Sequence, residues 1–261
     1  MNAPIRRLLV IVLAVALVPV ALGARQALDR SKIPPSGKAP ELKVPKWTKT
    51  TLSNGADLIV SEKHDLPLVS FSILFSGGAD QYETADKRGL ASITSSMLAE
   101  GTTTRDGEAL SNALQLLGTS VNAGIGSESG SIGFVSMTGK FAPTLDILAD
   151  MMLHSTFPAP ALERIRAQRL VALASARAQP GAIARRVFPK VVYGTAHPFG
   201  QMTTEETYKA ISRDDVVAFA KSYFKPGRAA IVVVGDITPV AAKAAVEKAL
   251  AKWPAPGLST R

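Results

Sequence analysis

Residues 51–78 read TLSNGADLIVSEKHDLPLVSFSILFSGG. Asn54-Gly55 stands between two β-like runs and is the strongest short-range hairpin signal, because a tight hairpin turn needs positive φ. A third run, carrying Leu68, Phe71, Ile73 and Phe75, ends at Gly77-Gly78. The chain thus opens with a hairpin and a third strand before its first helix.

Further along, RGLASITSSMLAEGTT (residues 88–103) places Leu90, Ile93 and Met97 at helical spacing, with Ser92, Ser95 and Ser96 on the other side. Taken alone, such a serine face reads as a solvated face. A helix over about 107–117 follows, then TSVNAGIG and SGSIGFVSMTG as paired strands joined by a Ser/Gly turn. FAPTLDILADMMLH is amphipathic, and a long helix runs from Leu162 to Arg177, closed by Pro180-Gly181. Its arginines fall at several angles around the axis, which a solvated surface explains. Ser212 and Asp215 form a capping box for VVAFAKSYF, Pro226-Gly227 ends that helix before the buried strand AAIVVVGD, and PVAAKAAVEKALAKW closes the unit. About six strands and six or seven helices in blocks predict an α+β fold, a largely antiparallel six-stranded sheet with helices packed on one face.

The chain has 261 residues, 46% apolar and 20% charged, which is ordinary globular composition. It contains no cysteine, which excludes disulfides, thiolate zinc sites, thiol nucleophiles and acylation at a cysteine. Arg6 and Arg7 precede the apolar run LLVIVLAVALVPVALGA, interrupted at Pro19 and followed by small residues at Ala21 and Gly23. Residues 1–23 therefore read as a secretory signal, residues 24–46 as an extended linker containing SKIPPSGKAP, residues 47–254 as the folded domain and 255–261 as a tail. The competing reading keeps residues 8–23 as an uncleaved membrane anchor. Both send the body out of the cytoplasm, to the periplasm or its equivalent. Loss of Arg6 and Arg7 lowers the formal charge from +9 to +7. The remaining cations are spread along the chain and are not interleaved with aromatics, which argues against nucleic acid as a partner.

The LSNG hairpin, the strand ending in GG, GLA…MLAEGT, GTSVNAGIGSES, LERIRAQRL, YGTAHPFGQ, ISRDDVVAFAKSYFKPGRAAIVVVGD and the closing helix occur in an order that resembles the insulinase and pitrilysin family, the M16 peptidases. The resemblance covers residues 47–254, the family's N-terminal repeat only, and implies its LuxS/MPP-like metallohydrolase-type fold. Active members carry H-x-x-E-H on the GLA helix: two histidines hold zinc and the glutamate activates water. Laid on that pattern, Ser92 and Ser96 stand at the histidine positions, Ser95 at the base, and Ala172 at the third ligand, a glutamate of the long helix. The resemblance thus implies a degenerate site with no catalytic residues and no zinc or other cofactor, since hydroxyl and methyl groups replace imidazole and carboxylate.

His64, His154 and His197 belong to different elements and no two have i, i+4 spacing. Neither G-x-S-x-G nor S-x-x-K occurs around Ser92 to Ser96. Asn122 and Ala123 match the family's edge strand, where unfolded peptide adds by backbone hydrogen bonds in active members. The strand equally suits packing or pairing with a partner domain. The expected function is a catalytically inactive homologue that pairs with a zinc-bearing M16 subunit or a second M16 repeat. The alternatives are a structural or assembly subunit without proteolysis, and a zinc metalloendopeptidase using other ligands.

Overall fold

The computed structural model describes Gly37 and residues 44–253. The expected signal, most of the linker and the tail lie outside the described residues. The chain divides into two units, Met1–Val44 and Pro45–Arg261, and the sheet with its helices belongs to the second.

The hairpin forms as expected: β1 (Thr48–Thr51) pairs antiparallel with β2 (Asp57–Glu62). Gly55 takes φ 83° and the Asn54 side chain accepts from the Ala56 amide at 3.1 Å, so the turn uses both residues of the motif. β3 (Leu68–Ser76) leads into a one-turn helix, α1 (Ala79–Tyr82), and the serine-bearing α2 (Leu90–Met97) follows. Next come α3 (Gly107–Leu116), β4 (Asn122–Ile125), β5 (Ser129–Met137), α4 (Phe141–His154) and α5 (Ala159–Ala176). The remaining elements are α6 (Pro180–Tyr193), α7 (Glu205–Ala210), α8 (Arg213–Tyr223), β6 (Ala229–Gly235) and α9 (Pro239–Ala249).

The sheet order is β1-β2-β6-β3-β5-β4, six strands with one parallel pair, β2 with β6. That pair arises because the last strand inserts between the hairpin and β3, completing the centre of the sheet only when the chain's final third has folded. Val69, Phe71, Ile73 and Phe75 of β3, Ile132 and Phe134 of β5, and Ile231 and Val233 of β6 all point to one buried face. Helices cover that face. Leu74, Val135, Met137 and Val234 lie exposed on the other, so the sheet is half-buried with period two.

Aromatic packing organises both ends of the core. Phe71 stacks on Phe134 at 5.3 Å, while Phe75 meets Tyr223, Phe224 and Trp253 at 5.3 to 6.2 Å. The Trp253 indole donates to the Phe224 carbonyl at 3.0 Å and seals the chain behind α9.

Two helices depart from expectation. Pro180 does more than close α5; it occupies the first turn of α6, where its missing amide costs nothing and its fixed φ favours helix entry. No side chain of α6 is buried, and Pro189 sits in its interior, so its sequence reads as interrupted rather than helical. α7 is under two turns long and is held by a Thr204–Thr207 capping box.

Candidate functional site

The serine helix is held at its N-terminus by a buried network. The Glu83 carboxylate accepts from the Gly89 amide at 3.1 Å and the Ala91 amide at 2.6 Å, capping α2 in place of a local Ser or Asp. Burial raises the Glu83 pKa, and the two amides and Arg88 oppose that rise. Arg88 itself is 5% exposed: Nη1 donates to Asp80, Nε to Gln201 and Nη2 to the Pro198 carbonyl, at 2.9 to 3.0 Å. The YGTAHPFGQ phrase therefore supplies acceptors for the arginine that opens RGLASITSS. Gly89, at φ 104°, leaves room for the Tyr208 ring, which a Cβ there would approach to 2.6 Å.

The serines do not form a solvated face. Ser95 is buried, Ser92 and Ser96 are half-buried, and the Ser95 and Ser96 hydroxyls both donate to the Ser92 carbonyl, at 3.0 and 2.9 Å. From α5, which packs against α2, Arg169 Nη2 donates to Ser96 Oγ at 2.9 Å. Ala172 lies three residues further along the same helix, exposed. The long-helix arginines, expected to be solvated surface, are anchored to other elements. Arg166 donates to the carbonyls of Tyr208 and Ile211, and Arg164 pairs with Glu100. Their different angles reflect three different neighbours of α5.

This donor set does not fit a zinc ion. Neutral hydroxyls already committed to the helix carbonyl are weak ligands, and a permanent guanidinium stands among them. A unit charge ~4 Å from a divalent cation costs about 8 kcal/mol at an effective dielectric of about 20, comparable with the ~10–16 kcal/mol of a structural zinc site.

The edge-strand residues are brought alongside. β4 is the last strand of the sheet order, pairs with β5 alone, and packs against α2, so Asn122 and Ala123 lie beside the serine helix. Asn122 is exposed and donates to Ser120 Oγ at 3.4 Å. The α1 amides of Ala79 and Asp80 donate to the Gly126 and Ser127 carbonyls, fixing the strand's far end. Gly78 is required there, since a Cβ would come within 2.3 Å of the Gly126 oxygen.

The histidines lie apart. His64 bonds Asp236 at 2.6 Å through Nδ1 and Glu62 at 2.9 Å through Nε2, opposite sides of the ring that do not converge on one ion. These bonds raise its pKa, the Asp236 bond first. His154 bonds Asp150 within α4, and His197 accepts from the Phe199 amide and stacks on Tyr193. Sequence reasoning missed Glu83 and Arg169. Glu83 precedes its helix by a whole turn-and-loop, and Arg169 looks like any surface arginine until α5 is docked.

Comparison with known proteins bears on this geometry. The profile described as "Insulinase (Peptidase family M16)" matches residues 58–204, and "Peptidase M16 inactive domain" matches residues 210–260. The second segment contributes α8, β6 and α9 to the same sheet and core as the first. The "Uncharacterized zinc protease YmxG" of Bacillus subtilis is 26% identical over 213 residues, covering 80% of this chain and 51% of its own. The "Probable mitochondrial-processing peptidase subunit beta" of Schizosaccharomyces pombe is 24% identical over 75% of this chain and 43% of its own. Among solved structures, a peptidase M16 inactive domain from Pseudomonas fluorescens superposes with TM-score 0.75 at 25% identity over 83% of this chain and 53% of that one. The periplasmic protease PqqL from Escherichia coli gives TM-score 0.70 at 19% identity over 85% of this chain and 26% of that one. The chain thus spans about half the length of the B. subtilis relative or less of the others. With the profile match covering more than half of its residues, the chain belongs to the insulinase family, peptidase family M16.

Proposed function

We propose that the chain is an exported, non-peptidase M16 homologue that pairs with a zinc-bearing M16 subunit or second M16 repeat to close a peptide-handling chamber. One observation carries this reading: the Arg169 guanidinium is bonded to Ser96 Oγ at the position where the family's H-x-x-E-H would place a metal ligand. With Ser95 in place of the glutamate, general-base assistance worth roughly 10²–10⁴ in rate has no source on α2.

Pairing is supported by α6. Phe188, Val191 and Val192 form an apolar patch with spacings of three and four residues, and all are 55% to 75% exposed. A contiguous apolar patch of this kind marks an interaction surface, and the chain spans about half the length of the B. subtilis relative. Export is supported by the reading of residues 1–23 and by the periplasmic neighbour from E. coli.

The test is purification from the exported fraction under chelator-free conditions. The expected result is co-purification with a second M16 chain that holds the zinc, with hydrolysis of a generic peptide only in its presence. Near-stoichiometric zinc and peptidase activity in the isolated chain overturn the reading. A stable complex without peptidase activity overturns the peptide-handling part and leaves an assembly role.

A further inference from the structure

Arginines are unevenly partnered in this domain. Among the described residues the ion pairs engage Arg88, Arg105, Arg164 and Arg166. Arg169, Arg177 and Arg186 have no described carboxylate at ion-pair distance, although they stand on neighbouring helices. Arg169 Nε is buried without a hydrogen-bond partner among the described residues. Arg186 spends one nitrogen on the Thr203 carbonyl at 2.6 Å.

Two of these cations, Arg177 and Arg186, border a cleft of about 230 Å³ between the end of α5, α6 and residues 202–204. Ala176, Ile183, Val187 and Met202 make its apolar wall, and Arg177 and Arg186 supply its charge. Tyr208 lies where the fields of Arg186 and Arg169 overlap: burial raises its phenol pKa and both guanidiniums lower it. Two carboxylates lie nearby. Glu83 is committed to the α2 amides and Arg88, and Glu206 bonds Thr204, with Arg177 lowering its pKa further. Among the described residues neither lies at ion-pair distance from Arg177 or Arg186.

An apolar wall beside unpaired guanidiniums is complementary to a carboxylate that carries its own hydrophobic group. The volume falls below the roughly 300–1,000 Å³ of a pocket for a drug-sized ligand, so the occupant enters by one end rather than lying across. An acidic side chain in mid-peptide would have to bring flanking backbone in with it. A terminal residue brings a planar carboxylate and a side chain together.

We propose that this cleft binds the C terminus of a peptide with an apolar last residue, the α-carboxylate between Arg177 and Arg186 and the side chain against Ile183, Val187 and Met202. The inference rests on the reading of the chain as a peptide-handling homologue.

The experiment is fluorescence anisotropy of the full chain with an N-terminally labelled pentapeptide ending in Leu-Leu, as free acid and as C-terminal amide. The free acid is expected to bind saturably, with affinity at least about tenfold above the amide, because a charge-assisted pair is lost in the amide. Arg177→Gln and Arg186→Gln are expected to lose a similar factor, with circular dichroism unchanged. Arg177 is exposed and holds nothing else among the described residues, so its variant remains informative should Arg186→Gln fail to fold. Equal binding of acid and amide, absence of binding, or wild-type affinity in Arg177→Gln overturns the proposal, as does tight binding of inorganic phosphate that leaves the peptide undisplaced. Zinc found in the same sample would defeat the non-peptidase reading while leaving the carboxylate preference standing, so the two fail separately.

Discussion

Arg88 Nη1 lies 2.9 Å from Asp80 Oδ1 and 3.5 Å from Glu83 Oε2, a guanidinium buried between two carboxylates at the head of the serine helix. Removing one member of such a set strands the others. Arg88→Met is therefore expected to cost about 3–5 kcal/mol in urea unfolding. Amide exchange at Gly89 and Ala91 should accelerate beyond the global change, since Glu83 loses the group that orients it as a cap.

The Lys87–Asp215 pair gives a pH dependence with a definite sign. Lys87 and the Ser212 hydroxyl lower the Asp215 pKa from 3.8 to about 2. A carboxylate with a depressed folded-state pKa contributes its full stabilisation above 3.8 and loses it as pH falls towards about 2, because the unfolded chain binds the proton first. The stability margin of wild type over Asp215→Asn should be present at about pH 5 and be largely gone near pH 2. Urea midpoints of both proteins across that window decide it.

Tyr223 crosses the core to donate its hydroxyl to the Gly77 carbonyl at 2.8 Å. Tyr223→Phe leaves that carbonyl buried and unpaired, an expected loss of about 1–3 kcal/mol. A Cβ on Gly130 would come within 2.4 Å of the same hydroxyl. Gly130→Ala should thus be less damaging when combined with Tyr223→Phe than in wild type, and a double-mutant cycle reads the coupling directly.

The zinc ligand set of the family's H-x-x-E-H pattern should resist simple grafting onto α2 and α5. Ser92→His, Ser95→Glu, Ser96→His and Ala172→Glu together rebuild the family's ligand set, yet Arg169 remains beside it. Elemental analysis is expected to find zinc well below one per chain, and to find uptake only after Arg169→Ala is added. Stoichiometric zinc with Arg169 in place would show that the guanidinium swings clear.

The α6 patch separates stability from association. Phe188 and Val191 are 68% and 75% exposed and lie outside the carboxylate cleft. Phe188→Ser with Val191→Lys should change unfolding free energy by no more than about 0.5 kcal/mol, while abolishing co-purification of the partner chain.

Local rules carried the sequence reading a long way. The Asn54-Gly55 turn, the alternating β3 pattern, the Ser212–Asp215 capping box and the Pro226-Gly227 stop are each decided within a few residues, so strand blocks and the α+β class were legible. The family's phrases then placed Ser92, Ser95, Ser96 and Ala172 on their helices. What stayed hidden depends on docking. α6 was missed because Pro180, Gly181 and Pro189 read as helix breakers, and the parallel β2–β6 pair joins segments far apart in sequence.

Residue types along α2 and α5 are a property of the sequence alone: it says which ligands stand there and which do not. Only the packing of α5 against α2 turns Arg169 from a surface charge into the partner of Ser96, and only the crossing of α5, α6 and the 202–204 segment gathers unpaired guanidiniums around an apolar cleft. The reason is one of range: turns and caps are settled by neighbours in the chain, whereas the charge of a pocket is settled by whichever side chains the completed core brings within a few ångströms.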